Sequence, residues 1–212
     1  SKRAQIENPG VPLAILGHSL GSLITQRILL HHSDLYMAAV LSGSPDILTV
    51  AGAAELVHAE VDRVGRDEVS EVLESGIVEG FAAAFPHAKN PHAWLSRDED
   101  EIGQYEQDPW CGFALCAGAW QDLISAMVVT AEVAAVAAGV RKTLPVYMVS
   151  GSDDPVHNGW QAIERISGTY RQCGLEDLTV KQYDGGRHEM FNETNRDQVT
   201  ADLLEWLAAK LV

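Results

Sequence analysis

Val11-Pro12-Leu13-Ala14-Ile15-Leu16-Gly17-His18-Ser19-Leu20-Gly21-Ser22 runs from an apolar stretch through a glycine-flanked serine into a helical pattern. Residues 11–16 read as a buried β-strand. Residues 20–32 read as a helix with Leu20, Ile24 and Ile28 on one stripe. Gly17-His18-Ser19-Leu20-Gly21 between them fits G-x-S-x-G in the strand-to-helix context that gives the match meaning. The chain must turn sharply there, leaving Ser19 strained with its hydroxyl exposed. Side chains at 17 and 21 are expected to collide in such a turn, so both are glycine. A helix N-terminus under the serine favours developing negative charge, and the Leu20 backbone N–H is a candidate oxyanion donor. The bland alternative is a bystander serine in a glycine-rich turn.

Three more strands are read at 38–43, 145–150 and 178–183, with helices at 158–172 and at the C-terminus. In the last helix Val199, Leu203, Trp206, Leu207 and Leu211 recur at helical spacing. Strands alternating with helices imply an α/β fold, a mostly parallel sheet with helices on both faces. Nearly continuous apolar runs in the first three strands suit burial on both sides. The rhythm breaks over residues 45–143, where helices are expected near 53–63, 67–75 and 119–139 among Phe81, Phe85, Trp94, Trp110, Phe113 and Trp120. This divides the chain into a core piece at 1–44, a helical lid or cap at 45–143 and a second core piece at 144–212. Arg97-Asp98-Glu99-Asp100-Glu101 reads as a solvated helix face.

A serine hydroxyl is a poor nucleophile until a base takes its proton, and the base needs an orienting carboxylate. Gly151-Ser152-Asp153-Asp154-Pro155-Val156 follows the third strand, and Asp184-Gly185-Gly186-Arg187-His188-Glu189 follows the fourth. Both loops lie at strand C-terminal ends, on the sheet edge that carries Ser19, where sites of parallel sheets gather. His188 is the candidate base, presented by a tight turn at Gly185-Gly186. Asp153 and Asp154 are both candidate acids, although either could cap the helix at 158–172. His31 and His32 suit the C-terminal dipole of the first helix, and His18 packs beside the serine turn. His58, His87, His92 and His157 lack metal-ligand spacing, and no metal or cofactor is expected.

Composition narrows the partners. Of 212 residues 46% are hydrophobic, and 15 Lys+Arg face 30 Asp+Glu for a formal charge of −15. Such a surface repels phosphate backbones and offers no basic patch to anionic lipid, so nucleic acid is excluded as a partner. No apolar run reaches the ~18 residues of a membrane helix. Cys111, Cys116 and Cys173 are too few and odd in number for a disulfide framework and read as free thiols in a reducing compartment. With no charged-then-apolar leader at its start, the chain is expected in the cytoplasm.

Taken together, these motifs resemble the α/β-hydrolase superfamily and, within it, the bacterial lysophospholipase and monoacylglycerol-lipase-like branch grouped as a serine aminopeptidase domain. The resemblance is carried by Gly-His-Ser-Leu-Gly-Ser at 17–22, Gly-Ser-Asp-Asp-Pro-Val at 151–156, Gly-Gly-Arg-His-Glu-Met-Phe-Asn-Glu at 185–193 and Asp108-Pro109-Trp110-Cys111-Gly112-Phe113. It implies Ser19 as nucleophile, His188 as base and Asp154, third after its glycine and just before Pro155, as acid. It implies hydrolysis of a small acyl ester, of monoacylglycerol or lysophospholipid type, through an acyl-enzyme. The alternatives are an aminopeptidase and a silent binding module on the same fold.

The family's pattern begins with further strands and a loop supplying a second oxyanion donor, which have no counterpart here. Strand 11–16 is therefore expected at an open sheet edge, an aggregation hazard. The remaining N-terminal half is expected as another chain, a cleaved fragment or further sequence. Complete shielding of that strand by this chain's own residues would refute the expectation.

Overall fold

The computed structural model describes residues 1–210, so Leu211 of the terminal stripe lies outside them. The order is α1 (Lys2–Glu7), β1 (Ala14–His18), α2 (Leu20–His32), β2 (Ala38–Ser42), α3 (Ile47–Gly52), α4 (Ala54–Val64), α5 (Glu71–Ala82), α6 (Glu99–Gln107), α7 (Ala117–Met127), α8 (Val133–Gly139), β3 (Val146–Gly151), α9 (Gln161–Gln172), β4 (Leu178–Tyr183) and α10 (Arg196–Lys210). The four strands pair in parallel in the order β1-β2-β3-β4.

Successive side chains of a strand point to opposite faces, and both faces are covered. Ala39 and Leu41 of β2 and Val146 and Met148 of β3 pack with Leu29 and Leu30 of α2, Val136 of α8 and Ile163, Ile166 and Tyr170 of α9. Val40, Tyr147, Val149 and Tyr183 point the other way, onto Val199 and Leu203 of α10. Every residue of β2 and β3 is buried. Among the described residues β1 pairs with β2 alone, at the edge of the sheet, and its Leu16 is 50% exposed.

The stripe expected on α2 is displaced. Ile24 points outward, and the buried face is formed by Ser22, Leu23, Gln26, Leu29 and Leu30. Two polar residues enter that face because they are satisfied there: the Ser22 and Ser44 hydroxyls hydrogen-bond at 2.6 Å, and the Gln26 amide donates to Ser22 Oγ.

Helices α3 to α8 lie between β2 and β3. Asp46 caps α3, accepting from the Leu48 N–H, and pairs with Arg165 of α9 at 3.1 Å, which ties the entry of this segment to the sheet layer. Val57 of α4, Leu73 of α5 and Ala117 and Ile124 of α7 form a separate small core. The helix expected near 67–75 starts later, at Glu71, because the buried Ser70 hydroxyl caps it by accepting from the Leu73 N–H. The helix expected over 119–139 is broken. A 3-10 turn at Val128–Ala131 continues α7, and after it the chain bends by 79° into α8, so α7 serves the inserted core while Val136 of α8 reaches the sheet. Among the described residues no single helix is long and apolar enough to cross a membrane. The charge run also divides. Glu99, Asp100 and Glu101 open α6 and Asp98 caps it, but Arg97 turns inward to a buried partner, Glu193.

Candidate active site

The strands end in register. His18 lies beside Ser42, Ser42 beside Val149, and Gly151 beside Tyr183, so the loops that follow meet along one sheet edge. Ser19 sits on the first turn at φ 53 and ψ −122, a strained conformation for a residue with a side chain. The turn is pinned by the Ser19 N–H, which donates to Ser42 O at 2.9 Å. A Cβ at Gly17 would press into Gly21 O and Thr25 Oγ1, so position 17 admits no side chain. The same argument fails at Gly21, where a Cβ would meet nothing: the collision expected at both glycines is one-sided. Helix α2 starts at Leu20, so the Leu20 N–H has no acceptor within the helix, as at any helix N-terminus.

Asp154 and His188 come together from loops 34 positions apart. The His188 Nδ1–H donates to the Asp154 carboxylate, with 3.0 Å to Oδ2 and 3.1 Å to Oδ1. A carboxylate only accepts, so this bond fixes the Nδ1–H tautomer and leaves Nε2 as the basic nitrogen. Asp154 also caps the short turn Pro155–His157, accepting from the Val156 N–H at 2.9 Å, and it accepts from Ser150 Oγ at 3.1 Å. The cap it forms is thus that of the short turn and not of the following helix, which starts at Gln161 after Trp160, while Asp153 is exposed and bonded to Ser152. Burial works against the Asp154 charge. The neighbouring His188 and its hydrogen bond outweigh that and hold the carboxyl below the usual range. The two loops can approach because position 151 has no side chain; a Cβ there would overlap the Gly186 backbone. Gly185, at φ 66, makes the turn before the histidine.

The residue placed against this pair is the one before Ser19. The His18 ring lies 4.6 Å from the His188 ring, centroid to centroid, and His18 Nδ1 is 3.2 Å from Ser42 Oγ. Burial, with His188 alongside, lowers the His18 pKa to about 3, so His18 stays neutral near neutral pH. Among the described residues no hydrogen bond joins Ser19 Oγ to His188. Such bonds commonly tighten only when substrate is bound.

Three residues around the pair escaped the sequence reading, and His18, expected only beside the serine turn, lies closer to the pair than expected. Trp94 packs on Phe81, at 4.9 Å, and on His188, at 5.2 Å, and among the described residues its buried indole N–H has no partner. His157, fully buried, donates from Nε2 to Gly151 O at 2.9 Å and accepts the Trp160 N–H on Nδ1, bracing the acid loop from behind. His18 packs directly on the His188 ring. Glu193 holds the histidine loop. Of Trp94, His157 and Glu193, only Glu193 carried a signal, its place at the end of the 185–193 motif. A cleft of about 210 Å³ opens beside Trp94, walled by Phe81, Tyr105 and Phe113, with Glu74, His92 and Gly112 completing it.

Known proteins resemble this chain along its length. The chain is 28% identical over 210 residues to the monoacylglycerol lipase of Mycolicibacterium smegmatis, covering 97% of this chain and 65% of that protein. It is 22% identical to the monoglyceride lipase of Mus musculus, covering 98% and 62%. The chain therefore spans less than two thirds of the length of these curated relatives. Among solved structures, a thermostable carboxyl esterase from Bacillus coagulans superposes with a TM-score of 0.88 at 21% identity, over 100% of this chain and 69% of that one. A monoglyceride lipase from Saccharomyces cerevisiae superposes at 0.70 and 18% identity, over 100% and 66%. The fold is that of the α/β-hydrolases. The family model described as serine aminopeptidase, S33 (Hydrolase_4), matches residues 2–195, and the chain belongs to that family.

Proposed function

We propose that the protein is a serine hydrolase that cleaves carboxylic esters of monoacylglycerol or lysophospholipid type through an acyl-enzyme. The observation that carries this is the His188–Asp154 pair, whose tautomer leaves Nε2 basic, on the same sheet edge as a serine held at φ 53. His188 Nε2 takes the proton of Ser19 Oγ as the oxygen attacks the ester carbonyl. The oxyanion receives the Leu20 N–H, and the N-terminus of α2 favours its charge. The imidazolium, held by Asp154, returns the proton to the departing alcohol, and the acyl group stays on Ser19. Water, deprotonated by His188, then releases the acid and restores the serine.

The aromatic walls of the cleft beside Trp94 suit an acyl chain, and the relatives named as monoacylglycerol and monoglyceride lipases support the same substrate class. The unpaired edge of β1 supports a further segment or chain that supplies the second oxyanion donor. The free thiols Cys111, Cys116 and Cys173 support a cytoplasmic site of action.

A second reading, removal of N-terminal residues from peptides, is favoured by Glu74 in the cleft, a carboxylate available to a substrate amine. Turnover of a 1-acylglycerol and a lysophospholipid, compared with aminoacyl anilides, separates the two. Ester cleavage without anilide cleavage is expected. Anilide cleavage alone would select the second reading, and neither would indicate a silent module.

A further inference from the structure

The loop that presents His188 has no regular structure of its own, and the partners of its backbone lie elsewhere. The His188 N–H donates to Trp94 O at 3.2 Å and the Glu189 N–H to Leu95 O at 2.8 Å. The preceding N–H, of Arg187, donates to Glu193 Oε1 at 3.1 Å. The same oxygen receives the backbone N–H of Arg97 at 3.0 Å. Glu193 Oε2 takes Arg97 Nε at 2.9 Å, the Thr194 N–H at 2.8 Å and Thr194 Oγ1 at 3.3 Å. Around this carboxylate the two segments are sewn further: the Arg187 guanidinium donates to Ala93 O and Ser96 O, and Ser96 Oγ to Asn192 O.

Glu193 is fully buried, at 0% exposure. A carboxylate out of water is costly unless every acceptor site is used. Here it is filled by donors from both segments, and these hold its carboxyl below the usual range despite burial. The bonds are spent on one relation, the position of residues 93–97 against residues 187–189. Trp94 in the first segment stacks on His188 in the second.

We propose that Glu193 is a positioning residue that locks the 93–97 segment of the insertion onto the histidine loop and so sets the orientation of His188 towards Asp154 and Ser19. The inserted segment thereby becomes part of the base's support. The role in turnover rests on the ester-hydrolase reading above; the effect on the His188–Asp154 pair does not.

The test uses Glu193→Gln, which keeps the shape but opposes an amide NH2 to donors, and the milder Arg97→Gln, which removes only the guanidinium. The His188 Nδ1–H proton is followed by NMR, with its resonance assigned by loss in His188→Ala. kcat and KM are followed on a soluble short-chain acyl ester. In Glu193→Gln the proton is expected to exchange faster or shift, with kcat down about 10- to 100-fold and KM within about twofold. Arg97→Gln should move the same way by less, and it decides the matter where Glu193→Gln does not fold. An unchanged resonance with kcat within about twofold in the folded variants overturns the proposal, as does a rise in KM alone. A wild-type protein that shows the resonance but cleaves no ester counts against the ester reading, and the resonance comparison still decides the role of Glu193.

Discussion

The imidazole of His18, next in sequence to Ser19, stacks 4.6 Å from that of His188 at an interplanar tilt of 49°. Burial, with the His188 ring alongside, depresses His18 from 6.5 to about 3. Between those values the unfolded chain holds a proton on this residue that the folded chain does not. Acid therefore favours unfolding through His18, and its contribution is fully present above pH 6.5 and lost as pH falls towards 3. The slope is at most about 1.4 kcal/mol per pH unit. Denaturant unfolding of wild type and His18→Phe from pH 7 down to about 5, above the range where carboxylates titrate, is expected to give a flatter dependence in the variant. Equal slopes would contradict it.

Trp94 also packs on the His188 ring, at 5.2 Å between centroids. An aromatic contact of this kind is worth about 0.5–1.5 kcal/mol, so Trp94→Ala should lower kcat/KM roughly 3- to 10-fold through a less well-held imidazole. Trp94→Phe, which keeps a ring against His188, should recover most of it. Ester-hydrolysis kinetics on the two variants test this, and equal loss in both would shift the role of Trp94 to its buried indole N–H.

The two adjacent aspartates separate cleanly. Asp154→Asn keeps the shape but disfavours the Nδ1–H tautomer, and should lower kcat on the order of 10⁴-fold. Exposed Asp153→Asn should leave kcat near wild type. Steady-state rates for the pair are the check, and a large loss at Asp153 would reassign the acid.

The turn itself has an asymmetric prediction. Gly17→Ala forces a methyl into Gly21 O and Thr25 Oγ1 and should cost about 1–3 kcal/mol of stability. Gly21→Ala meets open space within a helix and should be neutral or stabilising by up to about 1 kcal/mol. Thermal or denaturant unfolding of the two variants distinguishes them, and equal cost at both would restore the two-sided collision.

What could be read without coordinates follows from chain locality. β2 and β3 are short apolar runs bounded by turns, and Ser19, Asp154 and His188 each sit just past a strand end, where a parallel sheet collects its loops. The bend after Ala131 was hidden because the apolar pattern runs through it, and only tertiary packing sends its halves to different cores. The face of α2 was misread for a related reason: Ser22 and Gln26 are buried only because Ser44 arrives from another loop to satisfy them. Arg97 looked like one charge of a solvated run, yet its partner Glu193 lies 96 positions away. Trp94 was legible as an aromatic and not as a neighbour of His188, since no periodicity records a contact made across the fold.

The proposed mechanism requires Ser19 to be an activated nucleophile served by His188. Labelling with a fluorophosphonate, followed by peptide mapping, on the wild-type protein and on Ser19→Ala tests this. One adduct is expected, on the peptide that carries Ser19, absent from the variant and strongly slowed by Asp154→Asn. No adduct on the folded wild-type protein, or an adduct that persists in Ser19→Ala, would contradict it.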